Sequence, residues 1–346
     1  MTYQVEQPWS PCSESVMEWG EAFHDLMLHD RLRMTAYRKA IFEAVEPGDV
    51  VLDLGTGTGI LGLWALEAGA ARVFGVDLNP AILAKAVERM QGAGMADRFI
   101  PIHQRACDVQ LPQRVDVLIS EIIGNMADNE DFQPILHDAI HRFVAPGGTV
   151  LPRTTRSYLV PVAARVAHTL LRGGVIASLT PHDDIAALYR RNRTRSPYDL
   201  YYDCILPRRS YLSRPALLRA YHDAWDQPAC YDCRRAFTVE RPELLTGFKV
   251  YFVAELTATT ILDISGDDID GGETSDSWKH AYLPIERPIE VQRGDRLEVA
   301  FSRRYPDGET AFRQVYRWQG RVVRAGEVIG CFDQDMAAPV ELPDAA

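Results

Sequence analysis

One acidic residue and three glycines stand close together in the first quarter of the chain. Asp53 ends an apolar run, and Gly55, Gly57 and Gly59 alternate directly after it. Glycine tolerates positive φ and lets a ligand approach the backbone, so the segment predicts a tight ligand-binding turn after a buried strand. A second apolar run ends in Asp77, where an acid can accept hydrogen bonds from the ribose hydroxyls of a nucleotide.

The spacing of this turn indicates which nucleotide it would hold. Dinucleotide-binding turns have the pattern Gly-x-Gly-x-x-Gly, whereas here the third glycine comes one residue earlier and Asp53 precedes the first by two. A carboxylate in that place repels a pyrophosphate and suits a ligand with a cationic amino group. The pattern Asp-x-Gly-x-Gly-x-Gly resembles the first motif of class I methyltransferases, and the resemblance implies S-adenosylmethionine as the cofactor. The alternative, a turn without a ligand, is disfavoured by the acid at Asp77.

Two more carboxylates, Glu121 and Glu130, are nine positions apart with a glycine between them. Glu121 follows an apolar run, and ligands of open α/β sheets bind at the carboxyl ends of the strands. A guanidinium is planar, stays charged and offers a fork of donors that two carboxylates can hold. Holding it in line with a sulfonium methyl would place one nitrogen for methyl transfer. The alternative is a loop acid at Glu121 and, at Glu130, an acid that stabilises the N-terminus of the next helix.

The elements around these residues predict how they are positioned. Apolar runs alternate with helical patterns and predict a doubly wound parallel sheet up to residue 152. The predicted strands are 50–54, 72–76, 98–102 and 115–121, and the predicted helices are 60–69, 80–92 and 132–143. Apolar residues at helical spacing also predict a helix over 15–45. Beyond residue 152, short alternating segments between turns rich in Asp, Gly and Pro predict an antiparallel barrel or sandwich; they include 247–253, 289–291 and 296–301.

Charge and composition exclude some classes of partner. The 346 residues carry a formal net charge of −11, which disfavours nucleic acid because phosphate binding needs a basic surface. No apolar run is long enough to span a bilayer, and the first residues lack the pattern of a signal peptide, so we expect a cytoplasmic protein without a membrane partner. Cys230 and Cys233 have C-x-x-C spacing but no second pair, so no metal is expected. Arginine far outnumbers the four lysines, which is typical of a GC-rich bacterial genome.

Three stretches, 27–38, 120–130 and 276–281, together with the order of the two halves, resemble the protein arginine methyltransferases. The resemblance implies an α/β Rossmann-like sheet followed by an antiparallel β-barrel domain with a helical dimerisation arm. It implies that Arg33 pairs with the cofactor carboxylate and that Met27 lies against the reacting centre. The alternatives are a solvated Arg33 and a core Met27. Trp278 matches the family's Thr-His-Trp loop and is expected to contact the substrate.

The chain departs from the family pattern in several places. Ser277 stands where the family has the loop histidine, which weakens a histidine–acid proton relay unless His280 replaces it. The aromatic N-terminal signature is also absent. For the adenine, the register before a Leu-Pro pair gives Cys107, with Asp108 as a plausible substitute for the family's acid.

The resemblance also implies a division of the chain. Residues 1–45 form a helical segment covering the cofactor, 46–152 the S-adenosylmethionine-binding domain, and 153–346 the barrel substrate domain. The segment 164–206 is too long for a simple strand connection and is expected to be partly helical. It occupies the place of the family's dimerisation arm, so a homodimer is implied.

The leading hypothesis is an S-adenosylmethionine-dependent N-methyltransferase acting on an arginine guanidino nitrogen. Asp53, the glycine turn, Asp77 and Arg33 would hold the cofactor, while Glu121 and Glu130 hold the guanidinium and carry catalysis. The acceptor is free L-arginine, a small guanidino metabolite or an arginine of a protein. Two alternatives stay open: a methyltransferase for another small amine or alcohol, and a non-catalytic scaffold that keeps the fold.

Overall fold

A five-stranded parallel sheet forms the first half of the computed structural model, which describes residues 4–13, 21–178, 189–190, 194, 196–222, 227–308 and 313–337. The strands are β1 Val50–Leu54, β2 Arg72–Asp77, β3 Phe99–His103, β4 Val115–Ser120 and β5 Val144–Leu151. Their order is β3-β2-β1-β4-β5, and all neighbours run parallel. From β1 to β3 each new strand is added on one side of the sheet, and β4 and β5 are added on the other side of β1. Ligands of such sheets bind at the carboxyl ends of the strands at this point.

Helices cover the sheet and lead into the second half. They are α1 Glu21–His29, α2 Arg31–Ala44, α3 Ile60–Ala68, α4 Pro80–Gly92, α5 Phe132–Phe143 and α6 Arg165–Arg172. The single helix predicted over 15–45 is wrong where the structure describes it, because Asp30 separates α1 from α2. Its extended backbone and its side chain, which accepts a hydrogen bond from the Arg33 amide, start a new helix. The remainder of that prediction, residues 15–20, lies outside the described residues.

Two antiparallel sheets form the second half. One has the order β7-β12-β10-β6-β8, with β11 also paired to β10, and the other has the order β15-β14-β13-β9. The first contains β6 Thr154–Val162, β7 Tyr202–Cys204, β8 Ala216–Tyr221, β10 Glu243–Glu255, β11 Ile261–Asp263 and β12 His280–Val291. The second contains β9 Tyr231–Thr238, β13 Arg296–Arg304, β14 Val315–Arg324 and β15 Glu327–Asp335.

The two antiparallel sheets share one core. Phe248 of β10 and Phe332 of β15 have ring centroids 5.4 Å apart, and the Trp318 indole donates to the Pro284 carbonyl oxygen at 2.7 Å. The predicted fold class, a Rossmann-like parallel sheet followed by an antiparallel barrel, is confirmed. Of the predicted arm 164–206, the structure describes α6 and β7, while much of the segment between them lies outside the described residues. The arm therefore stays a prediction.

Hydrogen bonds connect the parallel-sheet half and the N-terminal residues to the barrel. On α2, the Glu43 carboxylate accepts hydrogen bonds from Thr257, Thr259 and Thr260 at 2.6 to 2.8 Å. Residues 4–13, here called the N-terminal strap, run beside β7. The Trp9 amide donates to the Asp203 carbonyl oxygen at 2.8 Å, and the Asp203 amide donates to the Trp9 carbonyl oxygen at 3.1 Å. Within the described ranges, no helix has the length and apolar character needed to cross a membrane.

Candidate active site

The glycine turn connects β1 to α3 at the carboxyl edge of the sheet. Gly55 has φ 75° and Gly57 has φ 54°, a region that favours glycine. A Cβ on Gly55 would come within 2.8 Å of the Ile122 side chain, so the close approach also requires glycine. The Gly57 amide donates to Asp77 Oδ2 at 2.8 Å. The structure thus places the predicted turn and the predicted ribose acid side by side.

Asp53 lies underneath this turn and holds it in shape. The residue is fully buried, and its Oδ2 accepts hydrogen bonds from the Thr56 hydroxyl at 2.6 Å and the Gly62 amide at 2.9 Å. Burial raises the pKa of this carboxyl to about 7. Its other oxygen, Oδ1, has no hydrogen-bond partner within the described chain. A buried carboxylate oxygen without a donor suits a ligand that brings one, such as the amino group of S-adenosylmethionine.

The remaining cofactor predictions lie at the rim of this edge. Cys107 and Asp108 are exposed in a short 3-10 helix after β3, and Arg142 of α5 donates to the Cys107 carbonyl oxygen at 3.1 Å. Their role toward an adenine stays a prediction.

His24 of α1 was not predicted, yet it lies over the turn: a Cβ on Gly57 would be 3.6 Å from its Nδ1. Burial lowers the pKa of His24, which favours a neutral ring.

A small pocket next to the glycine turn is lined by Glu121, Arg33 and Trp278. Glu121 follows the last residue of β4, and its carboxylate pairs with the Arg33 guanidinium. That guanidinium lies over the Trp278 ring, 4.9 Å from the centroid. The Trp278 indole donates to the Ile123 carbonyl oxygen at 2.5 Å, which fixes the ring against the glutamate loop. Arg33 was expected to pair with the cofactor carboxylate; in this structure its partner is Glu121.

Glu130 faces the same pocket from the far end of its loop. Although the residue keeps partial exposure, burial of the carboxyl raises its pKa to about 7, and a hydrogen bond from Ser13 and the charge of Arg33 oppose that increase. The Ser13 hydroxyl donates to Glu130 Oε1 at 2.8 Å. The N-terminal strap therefore supplies a wall of the pocket, which the sequence pattern did not indicate.

The pocket is closed and acidic. Glu121, Glu130 and Asp203 line it together with Arg33, so among its lining residues three carboxylates face one guanidinium. Burial raises the pKa of Asp203 to about 6, and the charge of Lys279 opposes the increase. The cavity of about 20 Å³ holds little more than one water molecule, because Arg33 and the strap fill it. A larger depression of about 550 Å³ beside β5 has no carboxylate in its lining and does not suit a cation.

Ser277 takes part in a buried contact between the halves. Its hydroxyl donates to Asp30 Oδ2 at 2.7 Å, and the Ser275 hydroxyl donates to the same oxygen. His280 does not replace the missing histidine, because it lies in the barrel core. There its Nδ1 accepts from the Leu206 amide at 2.9 Å and its Nε2 is 2.8 Å from the Ile264 carbonyl oxygen.

Several residues around the pocket were not identified from the sequence. The Asn125 side chain donates to Asp203 Oδ1 at 2.7 Å and to the Trp278 carbonyl oxygen at 3.2 Å. The Tyr37 hydroxyl donates to the Ser120 carbonyl oxygen at 3.1 Å and ties α2 to the end of β4. Of the predicted site residues, Met27, Arg33, Glu121, Glu130 and Trp278 line one pocket. Asp53, the glycines and Asp77 form the adjoining turn.

Comparisons with known proteins agree with this architecture. A family profile described as a methyltransferase domain matches residues 51–148. The protein arginine N-methyltransferase PRMT10 of Oryza sativa subsp. japonica is 37% identical over 306 residues, which cover 80% of this chain and 79% of that protein. The probable protein arginine N-methyltransferase 6 of Arabidopsis thaliana is 34% identical over 169 residues, 46% of this chain and 39% of that protein. The chain thus spans about two fifths of the length of the latter relative.

Two solved structures share the fold. The Arabidopsis thaliana protein arginine methyltransferase 10, described as uniquely open, has a TM-score of 0.76 at 19% identity and covers 92% of this chain and 98% of its own. The Trypanosoma brucei PRMT1 enzyme–prozyme heterotetramer with AdoHcy has a TM-score of 0.75 at 21% identity, covering 93% and 98%. The long match to the rice protein decides the assignment. This chain belongs to the protein arginine N-methyltransferase family.

Proposed function

We propose that this chain is an S-adenosylmethionine-dependent N-methyltransferase whose acceptor is the guanidino group of arginine. The observation that carries the proposal is the guanidinium already present in the pocket. The Arg33 side chain is paired with Glu121, lies 4.9 Å from the Trp278 centroid and interacts electrostatically with Glu130. A site that accommodates one planar cation in this way has the charges and the flat surface to hold another.

The cofactor would lie across the turn at the carboxyl edge of the sheet. Asp77 would accept from its ribose hydroxyls, and the unpaired Asp53 Oδ1 fits its amino group. When bound, the cofactor supplies an activated methyl group on a sulfonium. The family resemblance implies that Arg33 would pair with the cofactor carboxylate, and we infer that it would leave Glu121 to do so. Glu121 would then be available to the substrate.

The chain's own residues would then orient the acceptor and manage its proton. Glu121 and Glu130 would hold the guanidinium by its outer nitrogens and leave one nitrogen directed at the methyl group. Methylation of a guanidinium releases one proton, and the Glu130 carboxylate, with its pKa raised to about 7, suits the acceptance of that proton near neutral pH. Trp278 and the N-terminal strap would exclude water.

We also propose that the chain forms a homodimer. The segment 164–206 occupies the place of the family's dimerisation arm, and the neighbouring Trypanosoma brucei structure is described as a heterotetramer. Light scattering after size-exclusion chromatography should give twice the monomer mass of 38.8 kDa. A monomer at all concentrations would refute this part of the proposal.

The activity is tested by incubating the purified chain with methyl-labelled cofactor and one acceptor at a time. The acceptors are free L-arginine, a small guanidine, an arginine-rich peptide and the same peptide with lysine in place of arginine. We expect label in at least one arginine or guanidine acceptor and none in the lysine peptide. Glu121→Gln should abolish the transfer, whereas the exposed Glu240→Gln is the matched control. Cofactor binding without label in any guanidine would favour the scaffold alternative.

A further inference from the structure

A buried cluster of polar side chains holds the glutamate loop from the barrel side. At its centre is Arg303 of β13, whose side chain is 1% exposed. Its Nη2 donates to the Asp128 carbonyl oxygen at 2.8 Å and to Asp131 Oδ1 at 3.0 Å, and its Nη1 donates to the Ala229 carbonyl oxygen at 2.8 Å. Glu130 lies between the two loop residues that Arg303 contacts. The backbone that carries this glutamate is therefore anchored on both sides.

Other barrel side chains converge on the same two aspartates. Asp131 Oδ1 also accepts from the Gln314 amide at 2.6 Å and from the Tyr305 hydroxyl. The Tyr221 hydroxyl donates to the Asp128 carboxylate. Three donors on one oxygen of Asp131 come from three different side chains of the barrel. The loop is thus fixed by the barrel rather than by its own sheet.

The loop backbone is consistent with external anchoring. Ala127 has φ 78° and Asp131 has φ 58°, both in the left-handed region that favours glycine. Such conformations persist in other residues only when the surroundings over-determine them. Asp131 also directly precedes α5, where an aspartate would ordinarily cap the helix, yet its side chain forms no cap. The carboxylate is directed to the barrel instead.

We propose that Arg303 is a positioning residue for the acceptor, because it holds the loop so that Glu130 and Glu121 face each other across one guanidinium. The proposal rests on the proposed function and extends it to a residue outside the pocket. Arg303 does not line the acceptor pocket, and its hydrogen bonds go to Asp128, Asp131 and Ala229 rather than to the glycine turn. Its loss should therefore weaken acceptor use and leave cofactor binding unchanged.

The test compares Arg303→Met, Arg303→Lys and Arg304→Met in the full chain. Arg304 is the matched control: it is the next residue on β13, its side chain is 45% exposed, and it pairs with Asp232 at 2.6 Å. Cofactor affinity is measured by calorimetry, and kcat and KM are measured for the best guanidine acceptor. We expect Arg303→Met to lower kcat/KM at least about thirtyfold with cofactor affinity unchanged within about twofold. Arg303→Lys should recover part of the loss, and Arg304→Met should match the parent.

Two results would overturn the inference. In one, Arg303→Met folds and keeps kcat/KM within about threefold of the parent chain. In the other, cofactor affinity falls in parallel with turnover, as a general loss of structure would produce. If Arg303→Met does not fold, Tyr305→Phe removes one donor to Asp131, and an unchanged kcat/KM in that variant would equally refute the role. A parent chain that methylates no guanidine would refute the proposed function itself and this inference with it.

Discussion

The pH dependence of acceptor methylation should report on the carboxyl of Glu130. Burial raises its pKa to about 7, well above the usual value of 4.5. Only the ionised carboxylate attracts the acceptor cation, and with a pKa of about 7 the ionised fraction is roughly one tenth at pH 6 and nine tenths at pH 8. At low acceptor concentration, kcat/KM should therefore rise about tenfold from pH 6 to pH 8 and level off at higher pH.

Ser13→Ala should shift this profile toward higher pH. The Ser13 hydroxyl donates to Glu130 Oε1 at 2.8 Å and stabilises the ionised form. A hydrogen bond to a charged group contributes about 1.5–3 kcal/mol, and one pKa unit corresponds to about 1.4 kcal/mol, so the pKa should rise by about one to two units. At pH 7 the ionised fraction would fall from about one half to about one tenth or less, and at pH 9 most of the difference should disappear.

The assay is the initial rate of label transfer from pH 5.5 to 9.5 at acceptor concentrations below KM. Ser302→Ala on β13 serves as the matched serine control and should reproduce the parent profile. If the rate of Ser13→Ala rises with pH over the same range as that of the parent, the strap has no role in setting the charge of Glu130. A profile that stays level across this range, as a carboxyl with the ordinary glutamate pKa of 4.5 would give, would refute the raised pKa itself.

Three further substitutions test other parts of the site. Glu121→Gln should leave the cofactor Kd within about twofold and reduce kcat at least about a hundredfold, as for a lost transition-state contact; equal turnover would remove Glu121 from the mechanism. Asp77→Ala should weaken cofactor binding by about tenfold in calorimetry, because the Gly57 amide and the ribose both lose an acceptor; unchanged affinity would contradict the ribose assignment. Ser277→Ala should lower the free energy of unfolding by about 1–2 kcal/mol in urea titration, since it removes a donor to buried Asp30, and unaltered stability would show that the Ser275 hydroxyl alone suffices.

Local patterns explain how much of the fold was predictable. The helix predicted at 80–92 is α4, because Asn79 caps it and Pro80 begins it, both within the local sequence. Buried parallel strands such as β1 and β4 appear as apolar runs and were placed to within a residue. The break at Asp30 was missed because periodic apolar residues continue on both sides. The Asp30 side chain accepts a hydrogen bond from the Ser277 hydroxyl, which is 247 residues away along the chain.

The candidate site was predictable as a set of residues but not as a set of partners. Glu121 and Glu130 were recognised by type and spacing, and the structure brings both to one pocket. The pairing of Arg33 with Glu121 was not foreseen, since the family resemblance implies that Arg33 pairs with a cofactor, which is not part of the chain. Arg303 was not singled out because the predicted strand ended at residue 301. Continuing the alternation of Leu297 and Phe301 by one more step places Arg303 on the buried face.

The N-terminal strap has a practical consequence for how this protein is handled at the bench. Because Ser13 ends a segment that is hydrogen-bonded to β7 and reaches Glu130, trimming this segment would remove one wall of the pocket. An affinity tag fused directly before the strap would lower the measured rate, and a low rate has the same appearance as a poorly chosen acceptor. Screens for the acceptor should therefore start from protein in which residues 4–13 are intact.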